Sequence, residues 1–227
     1  MARKVLFLDR DGVLNIDRGY INRIQDWQFC EGAIAGIRAL RAADFRIALV
    51  TNQSGVARGM FSIDELRRLH HFVQQQLREA GAPLDAIAFC PHAPQANCLC
   101  RKPRIDTAHQ IEQTLGELIN YSESWMIGDK LSDMKFGKRL GARTVLIESR
   151  YWQWDEVTNL PNVTARSLWE AVPQILDSQA IAGSTFLADE TRSPTCTRQV
   201  GSGRCAGATF LADETRSPTC TRQVGSG

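Results

Sequence analysis

The sequence predicts an α/β fold with three layers, in which helices cover both faces of a central parallel sheet, as in Rossmann-like proteins. Short apolar runs alternate with amphipathic helical patterns along the first 178 residues. The runs are almost continuously apolar, which is typical of strands buried on both faces. Polar residues follow directly where the first, second and fourth runs end. Ligands bind along that edge of open α/β sheets.

Each element has its own signal in the sequence. Apolar runs predict five strands, at residues 5–8, 45–50, 86–89, 125–127 and 144–147. Apolar residues at helical spacing predict helices at residues 32–43, 62–80, 106–120 and 167–176, and a short helix that leads to Gly141. The second of these helices starts with Ser62 and Glu65, which have the spacing of a capping box.

Composition limits the classes of partner. A net charge of +2 over 227 residues gives no nucleic-acid footprint, so we expect no nucleic-acid partner. No apolar window has transmembrane length, and the N-terminal apolar run is too short for a signal peptide. We therefore expect a cytoplasmic protein without a membrane partner. In that compartment clustered cysteines bind metal more often than they form disulfides.

The strongest chemical signal is the pair of carboxylates Asp9 and Asp11, which follows the first strand and flanks Gly12. Alternate side chains leave a strand on the same side, and glycine permits a close backbone approach. Two such acids suit one Mg²⁺ ion and one phosphoryl group. Asp9 would attack phosphorus to give an aspartyl-phosphate, and Asp11 would act as general acid and base. Alone, the motif fits a surface Asp-Gly turn equally well.

Further motifs fall near the same predicted edge. Residues 51–55 follow the second strand and offer hydroxyl and amide groups to a phosphoryl oxygen. Asp129 follows the fourth strand, where it would bind Mg²⁺ or cap the next helix, and Asp133 lies one helical turn further on. Arg101 and Lys102 form a cationic pair that suits phosphate, although most such pairs are solvated surface groups. Asp9, Thr51 and Asp129 each lie just beyond the carboxyl end of a different predicted strand, and this shared placement favours a site over a set of turns.

Potential metal ligands cluster in the pattern Cys-x-His-x5-Cys-x-Cys, formed by Cys90, His92, Cys98 and Cys100. Three thiolates and an imidazole make a closed tetrahedral set, which is typical of structural Zn²⁺. We expect the metal to order this loop and to set the direction of Arg101 and Lys102, which follow it immediately.

From residue 179 the pattern of buried elements stops. Residues 185–203 recur identically as residues 209–227, and they are rich in Ser, Thr, Gly and charge. We expect a folded domain over residues 1–178 and a disordered tail over residues 179–227. The tail would be regulatory or a duplication without function.

Together the motifs resemble those of the haloacid dehalogenase-like (HAD) phosphatases: Asp9-x-Asp11-Gly12, Thr51, Lys102 and Asp129-x3-Asp133. Within that superfamily, the stretches DRDGVLNIDRGY, TNQSGVARGMF, CPH…CLCRKP and MIGDKLSDM are similar to the heptose bisphosphate phosphatases. The resemblance implies a HAD fold with a minimal cap and a monomer. It also implies Mg²⁺-dependent release of the C7 phosphate of a heptose 1,7-bisphosphate, on the way to nucleotide-activated heptose for lipopolysaccharide or a related glycan.

The same resemblance implies a role for each matching residue. The catalytic residues would be Asp9, Asp11, Thr51 and Lys102. The ligands of the catalytic Mg²⁺ would be Asp9, the backbone carbonyl of Asp11, and Asp129. The ligands of the structural Zn²⁺ would be Cys90, His92, Cys98 and Cys100. The small sugar bisphosphate would contact Asp17, Arg18, Gly19, Tyr20, Thr51, Asn52, Gln53, Ser54, Arg101, Lys102 and Lys130.

Two other functions stay open at this point. The interval between His92 and Cys98 is short, as in the histidinol-phosphate phosphatases of histidine biosynthesis, whereas residues 51–59 favour the heptose enzymes. A catalytically silent, zinc-stabilised binding module would carry the same cluster. The intact acidic pair and Lys102 argue against such a module.

Overall fold

A six-stranded sheet lies at the centre of the computed structural model, which describes residues 2–149 and 160–186, with side chains up to residue 178. Its strands are β1 Val5–Leu8, β2 Arg46–Asn52, β3 Ala86–Cys90, β4 Trp125–Gly128, β5 Arg143–Ile147 and β6 Val163–Ala165. They lie in the order β3-β2-β1-β4-β5-β6, and the pairings within this sheet are parallel. The central parallel sheet is therefore confirmed.

Helices cover both faces of this sheet. They are α1 Ala33–Ala42, α2 Ile63–Glu79, α3 Asp106–Leu115, α4 Leu131–Leu140 and α5 Leu168–Phe186. Leu6 and Leu8 of β1 join a buried cluster with apolar residues of α1, α2 and α5. Val5 and Phe7 point to the opposite face and join a second cluster with residues of α3 and α4. This alternation gives the three predicted layers.

Three elements differ from the sequence prediction. Helix α3 ends at Leu115, because Gly116 takes a left-handed conformation (φ 65°) and caps it. Strand β6 was not predicted, since it is short and Thr164 is exposed at its centre. Helix α5 continues to Phe186, so the predicted domain boundary at residue 178 falls inside this helix. The predicted tail beyond residue 186 lies outside the described residues. Within the described residues, no helix is long and apolar enough to span a bilayer.

The strand order changes direction at β1. The chain passes from β1 to β2 and β3 on one side, and later returns to β4 on the other side of β1. The backbone N–H of Asp9 donates to the carbonyl of Ile127 over 2.9 Å, which ties the end of β1 to the end of β4. Such a switch point opens a crevice at the carboxyl ends of the strands.

Candidate active site

A buried lysine joins two acids, one at the end of β1 and one in the first turn of α4. The Lys102 ammonium lies 2.7 Å from Asp9 Oδ1 and 2.7 Å from Asp133 Oδ1, and it donates to the carbonyl of Val50 over 2.6 Å. The Lys102 side chain is only 2% exposed. Burial alone would lower the pKa of Lys102, but the carboxylates of Asp133 and Asp9 outweigh it and raise the pKa. A positive charge is therefore fixed beside Asp9.

The backbone of Lys102 is held from β2. Asn52 Oδ1 accepts a hydrogen bond from the Lys102 N–H over 3.0 Å, and Asn52 Nδ2 donates to the Lys102 carbonyl over 3.2 Å. These two hydrogen bonds to the end of β2 place Lys102, which lies in an irregular loop, at the edge of the sheet. Asn52 was predicted to contact substrate, and in this conformation its amide is used to position the lysine.

A second lysine lies among the oxygen atoms predicted to bind Mg²⁺. The Lys130 ammonium is 2.7 Å from Asp129 Oδ1, 3.5 Å from the Asp11 carbonyl oxygen and 3.8 Å from Asp9 Oδ2. Carboxylate oxygens of Asp9, Asp129 and Asp133 all lie within 4.8 Å of one another. These oxygens therefore surround a space that already accepts a cation, and hard divalent ions prefer oxygen ligands.

Asp129 is packed tightly against the turn after β1. Its side chain has no exposed surface. Gly12 has a φ of 88°, and a Cβ at this position would lie 2.5 Å from Asp129 Oδ2. Burial raises the pKa of Asp129 to about 7, although Lys130 opposes the shift. Only glycine allows the backbone to pass this close to the carboxylate.

Asp11 is held by three donors on its own side of the site. Arg10 Nε and Nη2 donate to Asp11 Oδ1 over 3.1 and 3.0 Å, and Nε also donates to Oδ2 over 3.1 Å. Asn15 Nδ2 donates to Oδ1 over 3.1 Å, and Gln53 Nε2 donates to Oδ2 over 2.9 Å. Burial raises the pKa of Asp11, but the Arg10 charge and these hydrogen bonds outweigh it, so the pKa lies below its usual value.

Arg10 was not among the predicted site residues. It lies between the two acids in sequence, just beyond the end of β1, and its side chain is completely buried. Its charged partner is the carboxylate of its own neighbour, Asp11. No motif in the sequence distinguished this arginine from an exposed one.

Thr51 is also buried, and its Oγ1 accepts a hydrogen bond from Gln53 Nε2 over 2.8 Å. The Gln53 amide therefore bridges Thr51 and Asp11. Ser54 lies at the start of the following turn, where its carbonyl accepts a hydrogen bond from the Arg58 N–H over 3.1 Å. Gln53 thus connects the end of β2 to Asp11, whereas the Ser54 carbonyl is used within the turn.

The loop after Asp11 supplies the other predicted contacts. Asp17 Oδ2 lies 3.7 Å from the Lys130 ammonium, and Asp17 Oδ1 accepts a hydrogen bond from the Gly19 N–H over 2.8 Å. Tyr20 lies under Arg58, whose guanidinium carbon is 5.9 Å from the ring centroid. Arg18 is exposed and donates to Gln28 of the same loop over 2.7 Å. Asp17 reaches the centre of the site, whereas Arg18 lies along the loop.

The cysteine and histidine cluster is assembled as predicted. Cys90 Sγ lies 3.5 Å from Cys98 Sγ and 3.7 Å from His92 Nδ1, and His92 Nδ1 lies 3.2 Å from Cys100 Sγ. A tetrahedral ion with Zn–S bonds of about 2.3 Å has edges of about 3.8 Å between sulfur atoms. The spacing therefore permits a zinc site.

Two arginines donate hydrogen bonds to this loop. Arg104 Nη1 donates to the carbonyls of Asn97 and Cys98 over 2.7 and 2.8 Å, and Arg104 Nη2 donates to Asn97 Oδ1 over 2.8 Å. Arg101 Nη1 donates to the carbonyl of His92 over 3.3 Å. Arg104 was not predicted, and Arg101 is directed toward the metal-ligand loop in this conformation.

Known proteins are similar to this chain in sequence and in fold. A family model described as HAD-hydrolase-like matches residues 99–171. A protein from Haemophilus ducreyi, named D-glycero-beta-D-manno-heptose-1,7-bisphosphate 7-phosphatase, is 38% identical over 184 residues, which cover 77% of this chain and 100% of the relative. The chain belongs to this phosphatase family. A Pasteurella multocida member of the family is 41% identical over 157 residues, which cover 65% of this chain and 83% of that member.

A solved structure of the 7-phosphatase family supports this assignment. The D,D-heptose 1,7-bisphosphate phosphatase from B. bronchiseptica, crystallised with magnesium and phosphate, is 30% identical with a TM-score of 0.67, and the match covers 77% of this chain and 99% of that chain. The predicted membership of the HAD phosphatases is confirmed. As a member of the 7-phosphatase family, the chain is a hydrolase of phosphate monoesters.

Proposed function

We propose that the chain removes the C7 phosphate of D-glycero-D-manno-heptose 1,7-bisphosphate, as a step toward nucleotide-activated heptose for lipopolysaccharide or a related glycan. The observation that carries this proposal is the convergence of Asp9, Lys102 and Asp129 at neighbouring strand ends. This convergence occurs in a chain whose relatives are named for that reaction. Phosphoryl transfer needs a nucleophile, a fixed positive charge and a carboxylate that holds the metal ion. Asp9, Lys102 and Asp129 would supply these groups in that order.

In this proposal Asp9 attacks phosphorus, because Lys102 holds one of its oxygens and leaves the other directed toward the centre of the site. The bond between phosphorus and the C7 oxygen breaks, and Asp11 donates a proton to the leaving oxygen. Asp11 then takes a proton from water, which attacks the aspartyl-phosphate and releases phosphate. Asp9 is thereby regenerated.

Mg²⁺ would be held by Asp9, Asp129 and the Asp11 carbonyl, where it would neutralise charge between phosphate and carboxylates. The support is the position of the Lys130 ammonium among these same oxygens. With a divalent ion in that space, Lys130 is expected to turn toward Asp17, which already lies 3.7 Å away. It would then meet the substrate at the mouth of the site.

The cluster of Cys90, His92, Cys98 and Cys100 is assigned to a structural Zn²⁺, because its atoms have tetrahedral spacing. The metal would hold the loop from which Arg101 and Lys102 extend. Arg101 and Lys130 are the cations assigned to the second phosphate, and Asp17, Arg18, Gly19 and Tyr20 to the sugar. Thr51, Asn52, Gln53 and Ser54 complete the predicted set, with Thr51 also stabilising the transferred phosphoryl group.

The proposal also includes a cytoplasmic location, a monomer and a tail without a catalytic role. These parts rest on the sequence and on the family resemblance.

A substrate panel tests the proposal most directly. Phosphate release is measured under Mg²⁺ from both anomers of heptose 1,7-bisphosphate and from histidinol phosphate, with Asp9→Asn as the control for background. We expect the highest kcat/KM for a heptose bisphosphate. A preference for histidinol phosphate would show that the proposed substrate is wrong. If wild type and Asp9→Asn were equally inactive toward every ester, the result would support a catalytically silent binding module.

A further inference from the structure

We propose that Arg10 is a positioning residue, which fixes the orientation of the Asp11 carboxylate and couples it to the loop that follows. The inference rests on the proposed phosphatase function, because Asp11 acts there as the general acid and base. Arg10 itself lies beneath the site and is not expected to touch substrate.

The first argument is the burial of Arg10. Its side chain has no exposed surface, and a buried guanidinium is costly unless its donors find partners. Its charge is balanced by Asp11, and Arg10 Nη2 also donates to the carbonyl of Ile21 over 2.9 Å. The guanidinium carbon lies 6.0 Å from the centroid of the Trp27 ring. Within the described residues, Arg10 Nη1 is buried without a hydrogen-bond partner, so the burial of this side chain is only partly compensated. The protein therefore retains a group at this point that destabilises the fold relative to an apolar side chain.

The second argument is the geometry at Asp11. Arg10 Nε contacts both carboxylate oxygens at 3.1 Å, and Nη2 contacts Oδ1 at 3.0 Å. A planar fork facing a planar carboxylate fixes its rotation as well as its distance, which a lysine ammonium cannot do. Because proton transfer to the leaving oxygen depends on that rotation, Arg10 controls whether Asp11 is aligned.

The third argument is where the other side of Arg10 is anchored. Ile21 and Trp27 both belong to the loop after Asp11, and Trp27 is locked edge-to-face against Phe29 at 5.5 Å. Residues 17–20 of the same loop are the proposed sugar contacts. Any shift of this loop when substrate binds is therefore passed through Arg10 to Asp11.

Leaving-group dependence separates positioning from general damage. An alkyl phosphate such as the heptose bisphosphate needs a proton on its leaving oxygen, whereas p-nitrophenyl phosphate leaves as a stable anion. For Arg10→Met we expect kcat/KM for the heptose substrate to fall on the order of 10²-fold. For p-nitrophenyl phosphate we expect a loss of less than about threefold, since kcat/KM reports the first bond cleavage only. Equal losses for both substrates would overturn the inference.

A double-mutant cycle provides a second readout on the heptose substrate alone. If Arg10 acts through Asp11, Arg10→Met added to Asp11→Asn should change kcat/KM by less than about threefold. Multiplicative losses would overturn the inference. Arg10→Lys should recover little of the activity, because the fork is lost. The matched control is Arg23→Met, an exposed arginine of the same loop that pairs with Asp26, which should leave kcat/KM unchanged.

Trp27→Leu covers the case in which Arg10→Met fails to fold. It keeps the buried charge and removes only the ring beside it, so a smaller loss with the same leaving-group dependence is expected. If wild type prefers another alkyl phosphate, the proposed substrate fails, and the comparison is repeated on that ester. If Arg10 and Trp27 variants lose both substrates equally while wild type hydrolyses heptose bisphosphate, only the Arg10 inference fails.

Discussion

The Lys102 ammonium lies 2.7 Å from Asp9 Oδ1, with both side chains almost fully buried. The other oxygen of Asp9 faces the Lys130 ammonium at 3.8 Å. One oxygen is thus fixed by an internal cation and the other is turned to the open centre of the site. In the proposed mechanism, this asymmetry would present a single nucleophilic oxygen to phosphorus.

Replacement of this lysine should abolish most activity. Lys102→Met leaves Asp9 and Asp133 without their shared cation, so transition-state stabilisation on the order of 3 kcal/mol should be lost. Steady-state phosphate release should then fall by about two orders of magnitude. Lys135→Met, on the exposed side of α4, is the matched control and should behave as wild type. Near-normal turnover in Lys102→Met would show that the lysine assignment is wrong.

A methyl group at Gly12 should weaken the Mg²⁺ site. In Gly12→Ala the added Cβ would meet Asp129 Oδ2 at 2.5 Å, so the carboxylate must move. We expect the Mg²⁺ concentration for half-maximal activity to rise on the order of tenfold, as for a displaced ligand shell. Gly116→Ala shares the positive φ but meets no atom within 4 Å. It should therefore cost stability, measured as Tm, without changing Mg²⁺ activation.

Loss of one thiolate should release zinc. Cys98→Ser removes one of four ligands, and metal content after purification should fall in that variant but not in Cys30→Ser, whose thiol lies outside the cluster. Turnover should decline because Arg101 and Lys102 lose their support, while the Mg²⁺ activation constant stays unchanged. Full activity in protein verified as zinc-free would contradict this coupling.

A buried histidine should make folding stability fall at acidic pH. Burial, together with Arg10, lowers the pKa of His70 to about 3, although Asp11 opposes the shift. An unfolded histidine has a pKa of about 6.5. Between these values only the unfolded state takes up the proton, so stability decreases as pH falls, by about 2 kcal/mol between pH 7 and pH 5.

Denaturant titrations at both pH values measure this effect. His70→Gln should lose about that much less stability between them than wild type. His71→Gln, exposed on the same helix, should retain the wild-type difference. An unchanged pH dependence in His70→Gln would show that another group is responsible.

Removal of the duplicated segment should not affect catalysis. A chain that ends after Phe186 retains α5 and the site residues, so its kcat/KM and Tm should match those of the full chain. A change in either quantity would assign a role to residues 187–227.

The sequence predicted the site through strand ends. Asp9, Thr51 and Asp129 were placed correctly at the carboxyl edge, because buried strands are visible as apolar runs and parallel strands share that edge. The metal-ligand cluster was also predicted, since its four ligands are close in sequence and in space. Local patterns thus carried most of the assignment.

Long-range contacts were not predicted. No pattern indicates that Asp133 would pair with Lys102 rather than with Lys130, because that choice depends on how α4 and the loop after β3 meet. The Gln53 bridge to Asp11 was missed for the same reason. The Arg10 fork joins sequence neighbours, and it was missed because no motif distinguishes a buried arginine from an exposed one. Helix α5 was predicted too short because the pattern of buried elements stops near residue 179, which lies inside this helix.

The proposed reaction centre is assembled from residues in or after four different strands. Asp9 follows β1, Thr51 lies in β2, Lys102 follows β3 and Asp129 follows β4, and each neighbouring pair is held in register, as with Leu8 and Ile127. A slip of one residue of β1, β2 or β4 against a neighbouring strand would turn Asp9, Thr51 or Asp129 to the wrong face. Hydrolytic activity therefore requires that all of these strands are docked in register. Its recovery during refolding should report the last strand to dock, and not the average helix content seen by circular dichroism.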